Sequence, residues 1–247
     1  PVELNEAHHW GMRDAADVVF VAAAYLSAYN AKAFGVRDYI AQMMFNSPPG
    51  TSDAMDIAKM AASLEMTADL EDSSFRIWKQ TRTGLLSYPL EENAARAHLA
   101  ASIYAQMVLK PHIVHIVGHT EAHHAASAKD VIDAAKMARR VIENALAGQA
   151  DMLSDPAVIE RKIELIKETK VLLQAIKNIH QGREGDAFID PQTLADSVAK
   201  GILDAPHLKN NPFACGEIST RIIHGACEVV DQHQRKLTES QRLAEFL

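Results

Sequence analysis

The residues best suited to chemistry lie at the end of an apolar run, His112–Gly118, in which isoleucine and valine are interleaved with histidine. Glu121 follows this run and is flanked by His119 and His123. A carboxylate in that place can accept hydrogen bonds from hydroxyl groups or act as a general base. In the alternative interpretation, Thr120 and Glu121 only serve the amino terminus of the next helix, where hydroxyl and acidic side chains are common.

The same segment also suggests a metal site, because imidazole and carboxylate groups bind zinc, iron and similar ions. His119, Glu121 and His123 would converge across a tight turn after the strand. The helical pattern His-Glu-x-x-His, which many zinc proteases use, is absent from the chain. A metal-assisted lyase or hydrolase that uses these three residues is therefore an alternative function, and exposed or core histidines are the simpler interpretation.

Two further candidates follow a second apolar run, Phe75–Thr83. Arg82, near its end, has a guanidinium group that could bind the carboxylate of a substrate through two hydrogen bonds. Tyr88 lies a few residues later and could stack on a cofactor or donate a hydrogen bond to it. An equally good structural interpretation is that Tyr88 and Pro89 only turn the chain into the next helix.

The elements that must position these side chains alternate between short apolar runs and long amphipathic segments, a pattern typical of βα units in a parallel sheet. The pattern predicts three strands, each followed by a helix, and then a further long helix. The strands are expected over 38–45, 75–83 and 112–118, and the helices over 14–33, 52–66, 91–109, 126–147 and 156–179. Beyond Gly182 we expect helices over 191–203 and 217–246, and before the first helix we expect His8, His9 and Trp10 in a solvated segment.

Three strands are too few to close a barrel, since closure takes about eight. The sequence therefore predicts an α/β fold that forms part of a TIM-like (β/α) barrel. Residues 1–182 would supply the carboxy-terminal βα units of that barrel, and residues 183–247 a mainly helical extension. Such a partial barrel leaves sheet edges uncovered, so we expect an upstream half-barrel, a dimer partner or a longer parent chain to cover them.

The composition excludes several classes of partner. A formal net charge of -7 and a pI near 5.9 argue against binding to nucleic acid or to an anionic membrane. No apolar run reaches the roughly 20 residues that a membrane-spanning helix needs. The two cysteines, Cys215 and Cys227, give no disulfide framework, so we expect a reducing, cytoplasmic environment.

The candidate residues stand in a stretch that resembles the large, barrel-forming subunit family of glutamate mutase (methylaspartate mutase). The resemblance runs from Tyr88-Pro89-Leu90-Glu91-Glu92 to His119-Thr120-Glu121-Ala122 and continues through Ala134-Ala135-Lys136-Met137. It is also seen at Ala147-Gly148-Gln149 and Ile166-Lys167-Glu168-Thr169-Lys170, and it fades past Pro206.

The resemblance implies a component of an adenosylcobalamin-dependent mutase, which rearranges the carbon skeleton of a small carboxylic or amino acid through radicals. In that family this region forms the last strands of a (β/α)8 barrel and contacts the adenosyl group of the cofactor. By resemblance, Tyr88, Glu121 and Ala125 would be cofactor contacts, with Glu121 holding the adenosyl ribose. Arg82 stays a candidate for binding the substrate.

The chain departs from the family pattern in three places. Val117 stands where the family has a cofactor-contacting lysine, which removes a cation from the expected site. The cobalt-binding motif Asp-x-His-x-x-Gly is absent, because Asp231-Gln232-His233 does not continue correctly. The family's substrate-binding residues lie upstream of the part of the barrel to which this chain corresponds. A separate cobalamin-binding domain or subunit would therefore be needed, and a non-catalytic scaffold subunit with the same fold is a further alternative.

Overall fold

The alternating runs form the strands and helices of a layered structure, and the computed structural model describes all residues from Pro1 to Leu247. The strands are β1 (Val2–Leu4), β2 (Asp38–Phe45), β3 (Arg76–Thr83), β4 (Ile113–His115), β5 (Thr220–Ile223) and β6 (Ala226–Val229). The helices are α1 (Glu6–Gly11), α2 (Asp17–Ala33), α3 (Asp53–Ala68), α4 (Glu92–Gln106), α5 (Ala128–Gly148), α6 (Pro156–Ile179), α7 (Pro191–Ala199) and α8 (Glu239–Arg242). None of these helices is both long and apolar enough to cross a membrane.

Strands β1 to β4 form one parallel sheet in the order in which they occur in the sequence. Because crossovers between neighbouring parallel strands are right-handed, a sheet in this order carries its connecting helices on one face. A doubly wound sheet differs, since its strand order reverses and helices cover both faces. The α/β class and the parallel sheet are thus confirmed, and the four strands by themselves do not close a barrel.

The two faces of the sheet differ sharply in character. Tyr39, Met43, Phe45 and Ile77 face the helices and belong to the apolar core. Residues at alternate positions point to the opposite side, because successive side chains of a strand point to opposite faces. We call this side the polar face; from β1 to β4 it comprises Glu3, Asp38, Ile40, Gln42, Met44, Arg76, Trp78, Gln80, Arg82, Ile113 and His115.

The amino-terminal residues are more ordered than the sequence predicts. β1 is a fourth strand of the parallel sheet, which pairs Val2 with Tyr39 and Leu4 with Ala41. His8 and Trp10 are buried in α1 rather than solvated. A three-residue strand and a six-residue helix are too short for a periodic pattern to reveal, which is why the prediction of a solvated segment is wrong.

The carboxy-terminal region forms part of the same core as the βα units. Phe188, Leu203 and Leu243 belong to the large apolar cluster that also contains Leu172 and Ile176 of α6. The prediction of a helix over 217–246 is wrong, because this segment contains the antiparallel hairpin of β5 and β6 followed by the short helix α8. Residues 183–247 are consequently not mainly helical.

The hairpin forms because its two-residue turn has the backbone geometry that hairpins require. His224 and Gly225 both have positive φ, 49° and 83°, as in a type I′ turn. The turn lies against the start of α3, where the Ser52 N–H donates to the Gly225 carbonyl at 2.9 Å. A side chain at position 225 would place its Cβ 2.4 Å from Ser52 Oγ, so only glycine fits.

A buried ion network joins the sheet to the elements around it. Lys59 of α3 is fully buried, and its Nζ lies 3.1 Å from Asp17, 2.9 Å from Asp56 and 2.7 Å from the Ser47 carbonyl. Burial favours the neutral amine, but the charges of Asp17 and Asp56 outweigh it and raise the pKa of Lys59. The lysine is therefore charged and holds the start of α2, helix α3 and the loop after β2 together.

The second carboxylate oxygen of Asp17 extends this network to the rest of the chain. It accepts hydrogen bonds from Arg161 of α6 and from the Cys227 N–H of β6, both at 3.1 Å. Arg161 also pairs with Glu164 and with Glu228, each at 2.7 Å. The Asp17 carboxylate thus connects its own helix, α2, with α6 and with the hairpin of β5 and β6.

Replacing the buried lysine should cost much more stability than replacing an exposed one. We expect Lys59→Met to lower the free energy of unfolding by about 3–5 kcal/mol, because it leaves buried carboxylates without their cation. Lys162→Met is the matched control, since Lys162 links α6 to Glu65 of α3 at the surface and should cost at most about 1 kcal/mol. Urea denaturation of both variants measures this, and equal losses would contradict the role given to Lys59.

Candidate functional site

The candidate site lies where the chain leaves β4. Residues 116–127 form a loop with tight turns, in which the Glu121 and His123 N–H groups donate to the carbonyls of Gly118 and Thr120. Between this loop and α5 lies a cavity of about 480 Å³. Its wall combines the Glu121 carboxylate and the rings of His123 and His124 with small apolar side chains, which are Ala122, Ala125, Ala126, Val131, Ala134 and Ala135.

Glu121 is available to a ligand because the adjacent helix does not use it. Helix α5 begins at Ala128 and is capped by a reciprocal pair, in which Ser127 accepts from the Asp130 N–H and Asp130 accepts from the Ser127 N–H. The interpretation of Glu121 as a helix cap is therefore wrong. Its exposed carboxylate lines the same cavity as Ala125.

Tyr88 holds this loop in place through a hydrogen bond to its backbone. It is buried, and its hydroxyl donates to the Val117 carbonyl at 2.9 Å. Burial raises the pKa of Tyr88 to about 12, so the phenol stays protonated as a donor. The Val117 side chain is buried in the same apolar cluster as Tyr88, between the sheet and helices α4 and α5. Neither side chain lines the cavity; they fix the position of the strand exit that carries Glu121.

Arg82 lies next to this group on the polar face. Arg82 of β3 is the register partner of His115 of β4. The negative charge of Glu121 favours the charged form of Arg82. Burial lowers the pKa of Arg82, while the carboxylates of Glu121 and Glu3 oppose that shift. The structure therefore brings the predicted residues together at the carboxyl ends of β3 and β4; these residues are Arg82, Tyr88, Val117, Glu121 and Ala125.

The histidines of this loop do not form the metal centre considered from the sequence. No group of three or more His, Cys, Asp and Glu side chains in the structure is placed to hold a metal ion. His119 is buried with both ring nitrogens unpartnered, whereas Glu121 and His123 are exposed on the cavity. Burial lowers the pKa of His119. The three side chains fail to converge because the turn at 119–123 directs His119 into the protein and leaves Glu121 and His123 at the surface.

Three polar residues near Arg82 are absent from the sequence-based candidates. His8 of α1 is buried, and burial together with the charges of Arg82, His9 and His115 lowers its pKa to about 3. Gln42 and Gln80 pair in register on the polar face and are also buried. Gln42 has a signal in the sequence, since it is a polar side chain inside the apolar run 39–45, whereas Gln80 and His8 stand among other polar residues and give no such signal.

Comparisons with known proteins define no class for this chain. No known protein family matches the sequence, and no curated protein is significantly similar to it. Any function must therefore be inferred from the site itself.

The depressed pKa of His8 predicts a pH dependence of stability. Between about pH 6.5 and pH 3 the unfolded chain binds a proton at His8 that the folded protein excludes, so stability falls as pH falls through this window. We expect this residue to account for up to about 1 kcal/mol per pH unit after solvent screening. Urea denaturation at pH 7, 5.5 and 4.5 should therefore show a shallower acid loss in His8→Asn. An unchanged slope in the variant would contradict a neutral, buried His8.

Proposed function

We propose that this chain is a component of an adenosylcobalamin-dependent carbon-skeleton mutase similar to glutamate mutase. One observation carries the proposal: Glu121 and Ala125 share one cavity at the carboxyl end of a sequentially ordered parallel sheet. The carboxyl end of the strands is where barrel enzymes have their active sites. Glu121 and Ala125 are also the exposed residues that the family resemblance assigns to the adenosyl group.

The chemistry of the cavity suits a nucleoside. A carboxylate on the wall can accept hydrogen bonds from the ribose hydroxyls, as acidic residues do in dinucleotide sites. The alanine side chains line the cavity with apolar surface against which a purine could pack, and His123 and His124 also line it. The volume of about 480 Å³ lies within the range of small-ligand sites.

The roles within the site differ from those that the resemblance implies. Since the Tyr88 hydroxyl is already bonded to Val117, we assign Tyr88 to positioning the loop rather than to touching the adenosyl group. Val117 brings no cation, so the charge-assisted contact falls to Glu121 alone. When bound, adenosylcobalamin would supply the carbon-centred radical that starts the rearrangement.

The cobalt end of the cofactor requires another domain or subunit. His233 lies in a hydrogen-bonded turn in which its N–H donates to Asp231, and it is not part of a cobalt-binding motif. The sheet likewise has two free edges, at β1 and β4, which barrel closure would have to cover. We therefore propose that further βα units, from a partner or from a longer chain, complete the barrel around a small carboxylic or amino acid.

Binding of 5′-deoxyadenosine to the full chain tests this function. We expect saturable binding by calorimetry, and about tenfold weaker binding in Glu121→Gln, because the variant loses a hydrogen bond to a charged acceptor. Glu143→Gln is the control, since Glu143 is exposed on α5, the helix that lines the cavity, but lies outside the cavity itself.

Two results would count against the proposal in different ways. No binding by the wild-type chain would remove the adenosyl site and favour the alternative of a scaffold subunit. Equal affinity in Glu121→Gln and Glu143→Gln would show that the nucleoside binds elsewhere. With a cobalamin-binding partner present, the absorbance spectrum of adenosylcobalamin provides the second readout.

A further inference from the structure

Two neighbouring histidines on the wall of the Glu121 cavity are hydrogen-bonded to each other. His123 Nδ1 and His124 Nδ1 lie 2.8 Å apart, and both side chains line the cavity. The ring centres are 5.0 Å apart and the ring planes meet at 87°, so the rings do not stack. A contact of this length between two ring nitrogens needs a proton on one nitrogen and a lone pair on the other. One histidine of the pair therefore donates and the other accepts.

The Asp130 carboxylate determines which of the two histidines donates. Its Oδ2 accepts from the Ser127 hydroxyl at 2.7 Å and from the Ser127 N–H at 2.9 Å. These two hydrogen bonds lower the pKa of Asp130 to about 2, so the carboxylate is ionised and can only accept. The same oxygen lies 3.4 Å from His124 Nε2. The proton of His124 is therefore on Nε2, where it faces the carboxylate.

The position of the proton on His123 follows from that of His124. A neutral imidazole has one N–H group and one nitrogen with a lone pair. Since His124 carries its proton on Nε2, it accepts at Nδ1, and His123 must donate from its own Nδ1. The lone pair of His123 is then on Nε2, in a side chain that is exposed on the cavity. The series Asp130–His124–His123 thus fixes a hydrogen-bond acceptor in the same cavity as the Glu121 carboxylate.

We propose that His123 Nε2 selects adenine in this cavity by accepting a hydrogen bond from the exocyclic amino group of the base. A binding site that contains a fixed acceptor discriminates against ligands without the matching donor, because the acceptor then loses its water without gaining a partner. His124 and Asp130 are positioning residues, since they act by holding the proton on His123 Nδ1. The inference rests on the proposed function for its ligand, a nucleoside, and adds which base the cavity binds.

Nitrogen NMR of the full chain tests the proton positions without any ligand. Long-range proton–nitrogen correlation spectra of protein with isotope-labelled histidine distinguish a protonated ring nitrogen from one with a lone pair. At about pH 8, where an ordinary imidazole is neutral, we expect the proton on Nδ1 of His123 and on Nε2 of His124. In His124→Phe nothing holds the proton of His123 on Nδ1, so the Nδ1–H signal of His123 should be lost or reduced.

Calorimetry with two nucleosides tests the selection itself. Adenosine and purine riboside differ only in the exocyclic amino group, which purine riboside lacks. We expect the wild-type chain to bind adenosine about fivefold more tightly, which is the contribution of one neutral hydrogen bond. His123→Phe should bind the two nucleosides equally, and His124→Phe should show a reduced preference. His233→Phe is the matched control, since His233 is exposed outside the cavity and its replacement should leave the preference unchanged.

Three results would overturn the inference. They are a proton on Nε2 of His123 in the wild-type spectra, equal affinities of the wild-type chain for both nucleosides, and a preference for adenosine that survives in His123→Phe. Thermal unfolding of each variant verifies that it is folded. If both nucleosides bind equally and Glu121→Gln weakens both, the selection by His123 fails and the proposed function stands. If no nucleoside binds, the proposed function fails and the selection fails with it.

Discussion

The buried ion network around Lys59 is the interaction on which the rest of the structure depends. A fully buried ammonium group is tolerated only when carboxylates and hydrogen bonds replace its water, and in this protein Asp17, Asp56 and the Ser47 carbonyl do so. Since Asp17 also binds Arg161 and the backbone of β6, the same carboxylate fixes helix α6 and the carboxy-terminal hairpin. The loop after β2 is thereby held at the carboxyl end of the sheet.

The two faces of the parallel sheet differ in what they contact. One face packs against the helices and contributes to the apolar core, whereas the opposite face carries Arg82 and the glutamines Gln42 and Gln80. Arg82 lies near the candidate site, where the charge of Glu121 opposes the lowering of the Arg82 pKa by burial.

Much of the fold could be predicted, because strands and long helices leave a periodic signal. The bounds of β2 and α6 follow directly from apolar runs and from the prolines and caps beside them. The hairpin could not be found by periodicity, since its signal is the single pair His224-Gly225. The Lys59 network could not be predicted either, as its contacts span 42, 144 and 210 residues along the chain.

The candidate site was predictable in part. Glu121 was recognisable because it follows a strand and Arg82 because it lies near the end of one, and the carboxyl ends of neighbouring parallel strands lie together. The supporting role of Tyr88 depended on a hydrogen bond to Val117 that spacing does not reveal. A crystal structure with 5′-deoxyadenosine bound tests the candidate site most directly. We expect the ribose hydroxyls on the Glu121 carboxylate in the cavity beside α5; a nucleoside bound away from that cavity would contradict this assignment.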